Sequence, residues 1–326
     1  MPSALSRPPY DPELETVLAT LKAPPNVTPE FISVLRARDI PNTDSLLAGQ
    51  SDVTHQQRII QGSAGDIILS IYSAAGSVSH SQSSQRRPGI LFIHGGGFVS
   101  GNRFSSVRNW FEYTKVANAV LISVEYRLAP ECPGLAPLED CYAALLWVHE
   151  HAEELAIDPS NLMVGGSSAG GGLAAGVALY ARDHNGPNLC AQLLVSPMLD
   201  DRLQTVSSRQ YVDEPPWSRG SNETGWNALL GEGSARGEVS IYAAPGRATD
   251  LSRLPPAFIE VGSAEVLRDD CVGYATKLWA AGVQVELHVW PGAFHRFQAY
   301  APTAKLSIVA DETRRKWVER TLGAED

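Results

Sequence analysis

No apolar run in this chain of 326 residues reaches the ~18–20 residues a membrane-spanning helix requires, which excludes a helical span. The first ten residues, Met1-Pro-Ser-Ala-Leu-Ser-Arg-Pro-Pro-Tyr10, lack the apolar centre of a secretory leader. The final Gly323-Ala-Glu-Asp326 matches no prenylation, retention or peroxisomal signal, and the expectation is a cytoplasmic protein. Positive charge is also short: 26 Lys and Arg stand against 36 Asp and Glu, a net charge of −10. Sequence-independent nucleic-acid binding depends on a basic face, and nothing here supplies one. Cysteine is scarce too. The residues Cys132, Cys141, Cys190 and Cys271 form no C-x-x-C pair and no cluster with histidine, so neither a zinc site nor a disulfide framework is supported. They read as reduced, mostly buried thiols. H-E-x-x-H and P-loop patterns are absent, and no metal site is expected.

What the chain does have is alternation. Residues 1–50 are proline-rich, with two short helical patterns near 13–22 and 30–39. Strand patterns follow at 54–60 and 66–72, and then a Ser/Gln-rich stretch, 76–89, reads as a solvated loop that includes Arg86 and Arg87. Short apolar runs at 90–94, 119–125, 162–165 and 189–196 then alternate with helical patterns at 105–118, 137–156 and 169–183. Strands separated by helices of this length imply right-handed crossovers and a mostly parallel sheet with helices on both faces. The alternation lapses over 199–254, apart from a helical stretch near 223–230, and resumes with strands at 257–261 and 283–289 and helices at 271–281 and 304–322. A lapse that long is not an ordinary connection. Together with the N-terminal arm it reads as a cap over the strand ends: 1–50 as cap helices, 199–246 as a cap insertion, 51–198 and 247–326 as the core.

The chemistry centres on Gly166-Ser167-Ser168-Ala169-Gly170, where an apolar strand turns into an Ala/Gly-rich helix. A serine hydroxyl is a weak nucleophile unless the backbone projects it and a base takes its proton, and a G-x-S-x-G strand-to-helix turn does the projecting. Such a serine needs an acid and then a histidine downstream. His184 lies at the far end of the following helix, roughly 20 Å away at about 1.5 Å per residue. His288 sits inside an alternating strand. His295, in the loop Pro291-Gly-Ala-Phe-His295, lies just past a strand's carboxyl end, where chemistry collects in parallel sheets, and is expected to be the base. Glu265 lies three residues past the preceding strand and is the first choice for the acid, with Asp200 and then Asp269 as alternatives. His94-Gly95-Gly96-Gly97-Phe98 supplies a glycine run whose Gly96 and Gly97 amides, with that of Ala169, could hold an oxyanion. The alternative reading of the glycine run, as a flexible turn, is the weaker one given its aromatic flank and position. Gly170-Gly-Gly-Leu-Ala-Ala175 formally fits a dinucleotide fingerprint, but it lies inside the helix with no suitable acid about twenty residues on, and is rejected. His149 and His151 read as surface positions. Trp217 and Trp226 either line an acyl pocket or seal a small core.

Taken together, His94–Phe98, Tyr126-Arg-Leu-Ala-Pro130, Pro137-Leu-Glu-Asp140, Gly166–Gly170 and Pro291–Phe297 resemble the hormone-sensitive-lipase-like family of α/β-hydrolases, from about residue 54 to the C-terminus. The resemblance implies an eight-stranded α/β-hydrolase sheet, a helical cap, and cofactor-free esterase activity on small-molecule carboxylic esters. It gives Ser168, His295 and the amides of Gly96, Gly97 and Ala169 the roles set out above. Three positions depart from the family pattern. Ser167 stands where Asp or Thr is usual, Arg296 replaces a glycine after the histidine, and Glu265 stands where Asp is usual. Short to medium acyl or aromatic esters are the expected substrates. The same machinery would equally serve a thioesterase, lactonase, amidase or acyltransferase, and a non-catalytic ligand receptor on this fold is the alternative from another class. A homodimer through the final strand is plausible.

Overall fold

The computed structural model describes residues 5–38, 42–76, 86–231 and 238–323. Most of the Ser/Gln-rich loop, 77–85, lies outside them. Eight strands form: β1 (Val53–Gly62), β2 (Gly65–Ala74), β3 (Arg87–Ile93), β4 (Val120–Glu125), β5 (Ile157–Ser167), β6 (Ala191–Val195), β7 (Ala257–Gly262) and β8 (Val285–Trp290). They make one sheet in the order β1-β2-β4-β3-β5-β6-β7-β8. β1 and β2 run antiparallel to each other, as do β2 and β4, and every later pairing is parallel.

The helices are α1 (Pro12–Leu18), α2 (Ile32–Arg36), α3 (Thr43–Leu47), α4 (Tyr113–Val116), α5 (Ala136–Glu150), α6 (Ala169–Asp183), α7 (Val206–Gln210), α8 (Arg219–Leu230), α9 (Arg268–Ala280), α10 (Phe297–Tyr300) and α11 (Lys305–Leu322). Side chains alternate along each strand, and this sorts the core into two layers. Leu91, Ile93, Val164, Leu194 and Ile259 face α5, α6 and α9, where Leu145, Leu173 and Tyr274 meet them. Ile90, Phe92, Met163, Leu193 and Phe258 face the other way, against Trp110, Phe111 and Tyr113 and against Trp317 and Val318 of α11. Helices therefore cover both faces, as the alternation implied.

Local chemistry explains where the sequence reading slipped. The continuous helix expected over 105–118 breaks into a 3₁₀ turn at Val107–Trp110 and the short α4, bounded by left-handed Ser106 (φ 62°) and Asn118 (φ 50°). Four large side chains here, Val107, Trp110, Phe111 and Tyr113, are all buried in one layer, so packing overrides helical continuity. The pattern over 137–156 ends as a helix at Glu150, and left-handed Ala156 (φ 54°) turns the chain into β5. β5 itself starts five residues earlier than expected, because Ile157 pairs with Arg87 across a register irregularity. Arg87 is thus the first residue of β3 rather than a solvated loop residue, and His151 is half-buried, stacked on Trp147 at 4.4 Å. The helix α3 went unread; Asn42 caps it by accepting from the Ser45 amide at 2.9 Å.

The N-terminal arm is tied down at several points. Asp11 N donates to the Gly292 carbonyl (3.0 Å), Val27 N to Ser221 Oγ (2.8 Å) and Arg36 Nε to the Val99 carbonyl (2.7 Å). These bonds hold the arm beside both the 199–246 segment and the carboxyl ends of the central strands.

Candidate active site

Parallel pairing places the ends of β3, β5, β6, β7 and β8 along one rim, and each end delivers one part of the site. β5 ends at Ser167, and Ser168 follows with φ 57° and ψ −122°, a backbone conformation that costs about 1–3 kcal/mol and persists only where the surroundings impose it. They do impose it. Ser168 N donates to the Val195 carbonyl (2.8 Å), and the Ser168 carbonyl accepts from Met198 N (3.0 Å) and Gly172 N (3.1 Å). The turn also needs glycine on each side: a Cβ on Gly166 would lie 2.3 Å from the Gly170 carbonyl oxygen, and one on Gly170 would lie 2.1 Å from that of Ile93. The helix-propensity cost of Gly170 is thus exchanged for close approach of α6 to β3.

His295, in the loop after β8, lies against the serine. Its Nε2 is 3.0 Å from Ser168 Oγ, and its Nδ1 is 2.6 Å from Glu265 Oε2. The second oxygen of Glu265 accepts from Ser196 Oγ and from the Gly262 amide, both at 2.9 Å. The carboxylate is therefore anchored on one side and presented to the imidazole on the other. All three residues are nearly enclosed, at 3 %, 3 % and 2 % exposure for Ser168, His295 and Glu265. The alternatives for the acid point elsewhere. Asp200 takes the guanidinium of Arg202, and Asp269 accepts from the Ser207 amide (2.7 Å) and pairs with Arg268 (2.7 Å). His184 stacks on Tyr180 at 3.8 Å, and His288 bonds Glu286 at 3.0 Å.

After β3 the chain passes through Gly96 (φ 130°) and Gly97 (φ 63°), conformations that favour glycine. Among the described residues, the amides of Gly96 and Gly97 donate to no carbonyl or side chain. Ala169 opens α6, so its amide has no carbonyl one turn earlier to bond. His94 stiffens the loop from behind. Burial pushes its pKa down to about 4, so the ring is neutral, and its Nδ1–H donates to the Gly95 carbonyl at 2.8 Å. Its face stacks on Tyr126 at 4.1 Å, and the Tyr126 hydroxyl donates to the His94 carbonyl (2.8 Å). Ser196, His94 and Tyr126 are parts that sequence reasoning left without a role. Ser196 stands at a strand end, but its role depends on β6 lying beside β7, which no local pattern shows.

A cavity of about 320 Å³ opens onto Ser168 and His295, walled by the glycine loop and by Val27, Leu35, Pro216 and Trp217. Trp217 lies 6.4 Å from the His295 ring, whereas Trp226 is fully buried against Phe98 at 5.0 Å. One tryptophan thus lines the cavity and the other seals a core. All four cysteines are free thiols, Cys141 and Cys271 being buried. Among the described residues no helix is long and apolar enough to cross a membrane.

This sheet, with a strained serine between strand and helix and a histidine beyond the last strand, has the architecture of the α/β-hydrolases. The chain belongs to that family: the model of an α/β hydrolase fold matches residues 90–299, which bears out the resemblance read from the motifs. Among curated proteins it is similar to the esterase LipI of Mycobacterium tuberculosis, 36 % identical over 249 residues that cover 74 % of each chain. It is likewise similar to the carboxylesterase NlhH of the same species, 40 % identical over 216 residues, 66 % of this chain and 67 % of the relative. Among solved structures, a bacterial heroin esterase superposes with a TM-score of 0.84 at 38 % identity, covering 97 % of this chain and 98 % of that one.

Proposed function

We propose that the protein is a serine carboxylesterase in which Ser168 is the nucleophile, His295 the general base and acid, and Glu265 the residue that orients the imidazole. Ser168 Oγ attacks the ester carbonyl carbon while its proton passes to His295 Nε2. The amides of Gly96, Gly97 and Ala169 hold the oxyanion; one such donor typically contributes about 10²–10³ in rate. Collapse of the tetrahedral intermediate breaks the bond to the alkoxy oxygen, which leaves as the alcohol with the proton from His295. Water then attacks the acyl-enzyme, gives a proton to His295, and the carboxylic acid departs as Ser168 Oγ takes that proton back.

The observation that carries this reading is the unbroken chain from Ser168 Oγ to His295 to Glu265, with separations of 3.0 and 2.6 Å, opening onto a cavity. The naming of LipI and NlhH as esterases supports it. A cavity of about 320 Å³ suits short to medium acyl chains or aromatic esters. Residues 1–50 and 199–246 form its cap in this reading, and the unpaired edge of β8 leaves room for a second copy in a homodimer. The test is Ser168→Ala, which should abolish both hydrolysis of 4-nitrophenyl butyrate and labelling by a fluorophosphonate. Turnover near the wild-type rate in that variant would overturn the assignment.

A further inference from the structure

Two arginines, Arg38 and Arg296, line the cavity, and among the described residues no aspartate or glutamate does. In a chain whose net charge is −10, that local sign runs against the molecule. Neither arginine has an acidic partner among the described residues. The Arg296 guanidinium makes one hydrogen bond among the described residues, from its Nη2 to Ser106 Oγ at 2.8 Å, and its central carbon lies 5.8 Å from the ring of Tyr300, another wall residue. Four of its five donors have no acceptor among the described residues. The Arg38 guanidinium lies 5.9 Å over the Phe31 ring and has no acidic or hydrogen-bonding partner among the described residues. Most other arginines near the rim are committed: Arg36 to Glu131, Arg103 to Glu125 and Arg127 to Asp140.

Backbone geometry holds Arg296 where it is. It adopts a left-handed conformation (φ 61°) immediately after His295 and precedes the first turn of α10, while Ser106 across from it is also left-handed (φ 62°). A non-glycine residue in that conformation is uncommon and costs stability. A planar fork with unused donors, lining the same cavity as a second arginine and the serine, fits a planar oxyanion such as a carboxylate.

We propose that the substrates are esters carrying a second, free carboxylate, which Arg296 and Arg38 bind while Ser168 attacks the ester carbonyl. This rests on the serine-esterase reading and narrows it. The carboxylate could sit on the acyl part, as in a monoester of a dicarboxylic acid, or on the leaving alcohol, as in an ester of a hydroxybenzoic acid. The shared requirement is an anion paired with the guanidinium groups.

Two matched substrate pairs separate these sources. Mono(4-nitrophenyl) adipate against 4-nitrophenyl adipamate tests the acyl side, and 4-acetoxybenzoate against 4-acetoxybenzamide tests the alcohol side. In one pair, wild-type kcat/KM should favour the carboxylate by roughly five- to tenfold, the size expected for partly exposed ion pairs. The effect should lie in KM and shrink as salt rises from about 20 mM to about 500 mM. In Arg38→Gln/Arg296→Gln that preference should fall to near parity. Equal rates within both pairs for the wild type, or a preference that survives the double substitution, would overturn the proposal. If no ester is turned over and a fluorophosphonate leaves Ser168 unlabelled, the esterase reading itself has failed. Calorimetric titration of Ser168→Ala with 4-acetoxybenzoate, its amide and the adipate pair then still decides the binding claim, since equal affinities within both pairs would refute it. Thermal denaturation of each variant confirms that it is folded.

Discussion

At the scale of single residues, Glu265 is the position where the proposed mechanism is most exposed to test. Its Oε2 takes the imidazole Nδ1 at 2.6 Å, and its Oε1 is occupied by Ser196 and the Gly262 amide. The carboxylate therefore cannot rotate without breaking two other bonds. Glu265→Gln keeps the volume but puts an amide NH₂ or a neutral carbonyl oxygen against the ring. With NH₂ towards it, Nδ1 must accept and Nε2 carries the proton, so Ser168 loses its base. A fall in kcat of roughly 10³–10⁴ with KM little changed is expected, measured on 4-nitrophenyl butyrate. A loss below tenfold would return the role to another acid. For Glu265 order and position left Asp200 and Asp269 open, whereas Ser168 and His295 could be nominated from them alone, each standing just past a strand run. Ser196 could not. Its role comes from β6 lying next to β7, and strand order across a sheet is not written in any local pattern.

At the scale of elements, packing decided against local propensity in the segment 105–118, where aromatic burial broke the expected helix. It decided in favour of a costly sequence at α6, whose glycines let backbone meet backbone. The first turn of α9 shows a third conflict. A carboxylate there gains about 0.3–1 kcal/mol from the helix N-terminus. Asp270, however, is buried with the carboxylates of Asp200 and Asp269 nearby, and although Arg202 opposes the effect, its pKa is pushed up from 3.8 to about 8. That rise corresponds to several kcal/mol, at about 1.4 kcal/mol per tenfold change, so burial wins over the helix terminus. The sign follows from proton counts. Between about pH 4 and pH 8 the native state keeps the Asp270 proton and the unfolded state has lost it, so stability from this group falls as pH rises through that window. Asp270→Asn removes the titration. Its Tm should gain on that of the wild type from pH 5 to pH 8, and parallel Tm profiles for the two proteins would show that the group does not titrate there.

At the scale of the whole molecule, one buried cluster fastens the C-terminal helix to the sheet beneath the His295 loop. Glu260 of β7 pairs with Arg314 of α11, and both are buried. The same carboxylate accepts from Trp290 Nε1 at the end of β8 (2.9 Å) and from Gln298 Nε2 in α10 (3.2 Å), while Arg314 Nε donates to the Tyr113 hydroxyl of α4 (2.7 Å). Five elements thus meet at one ion pair. Nothing in the sequence announced it, because an arginine in an amphipathic final helix reads as a solvated face until the tertiary fold buries it. A buried pair is weak evidence of net stability, since desolvation offsets much of the attraction, but breaking it strands a charge. Arg314→Met should therefore cost roughly 3–5 kcal/mol in urea unfolding. Adding Glu260→Gln removes the stranded carboxylate and should recover a large part of that loss, although Trp290 and Gln298 then bond a weaker acceptor. If the double variant is no more stable than Arg314→Met alone, the guanidinium acts mainly through its bonds to Tyr113 and Asp311 rather than by neutralising Glu260. The kcat of the double variant carries the second half of the test. Trp290 precedes the His295 loop and Gln298 follows it, so a cluster that positions this loop should lower kcat when it is weakened, whereas a purely stabilising one should leave kcat at the wild-type value once folding is restored.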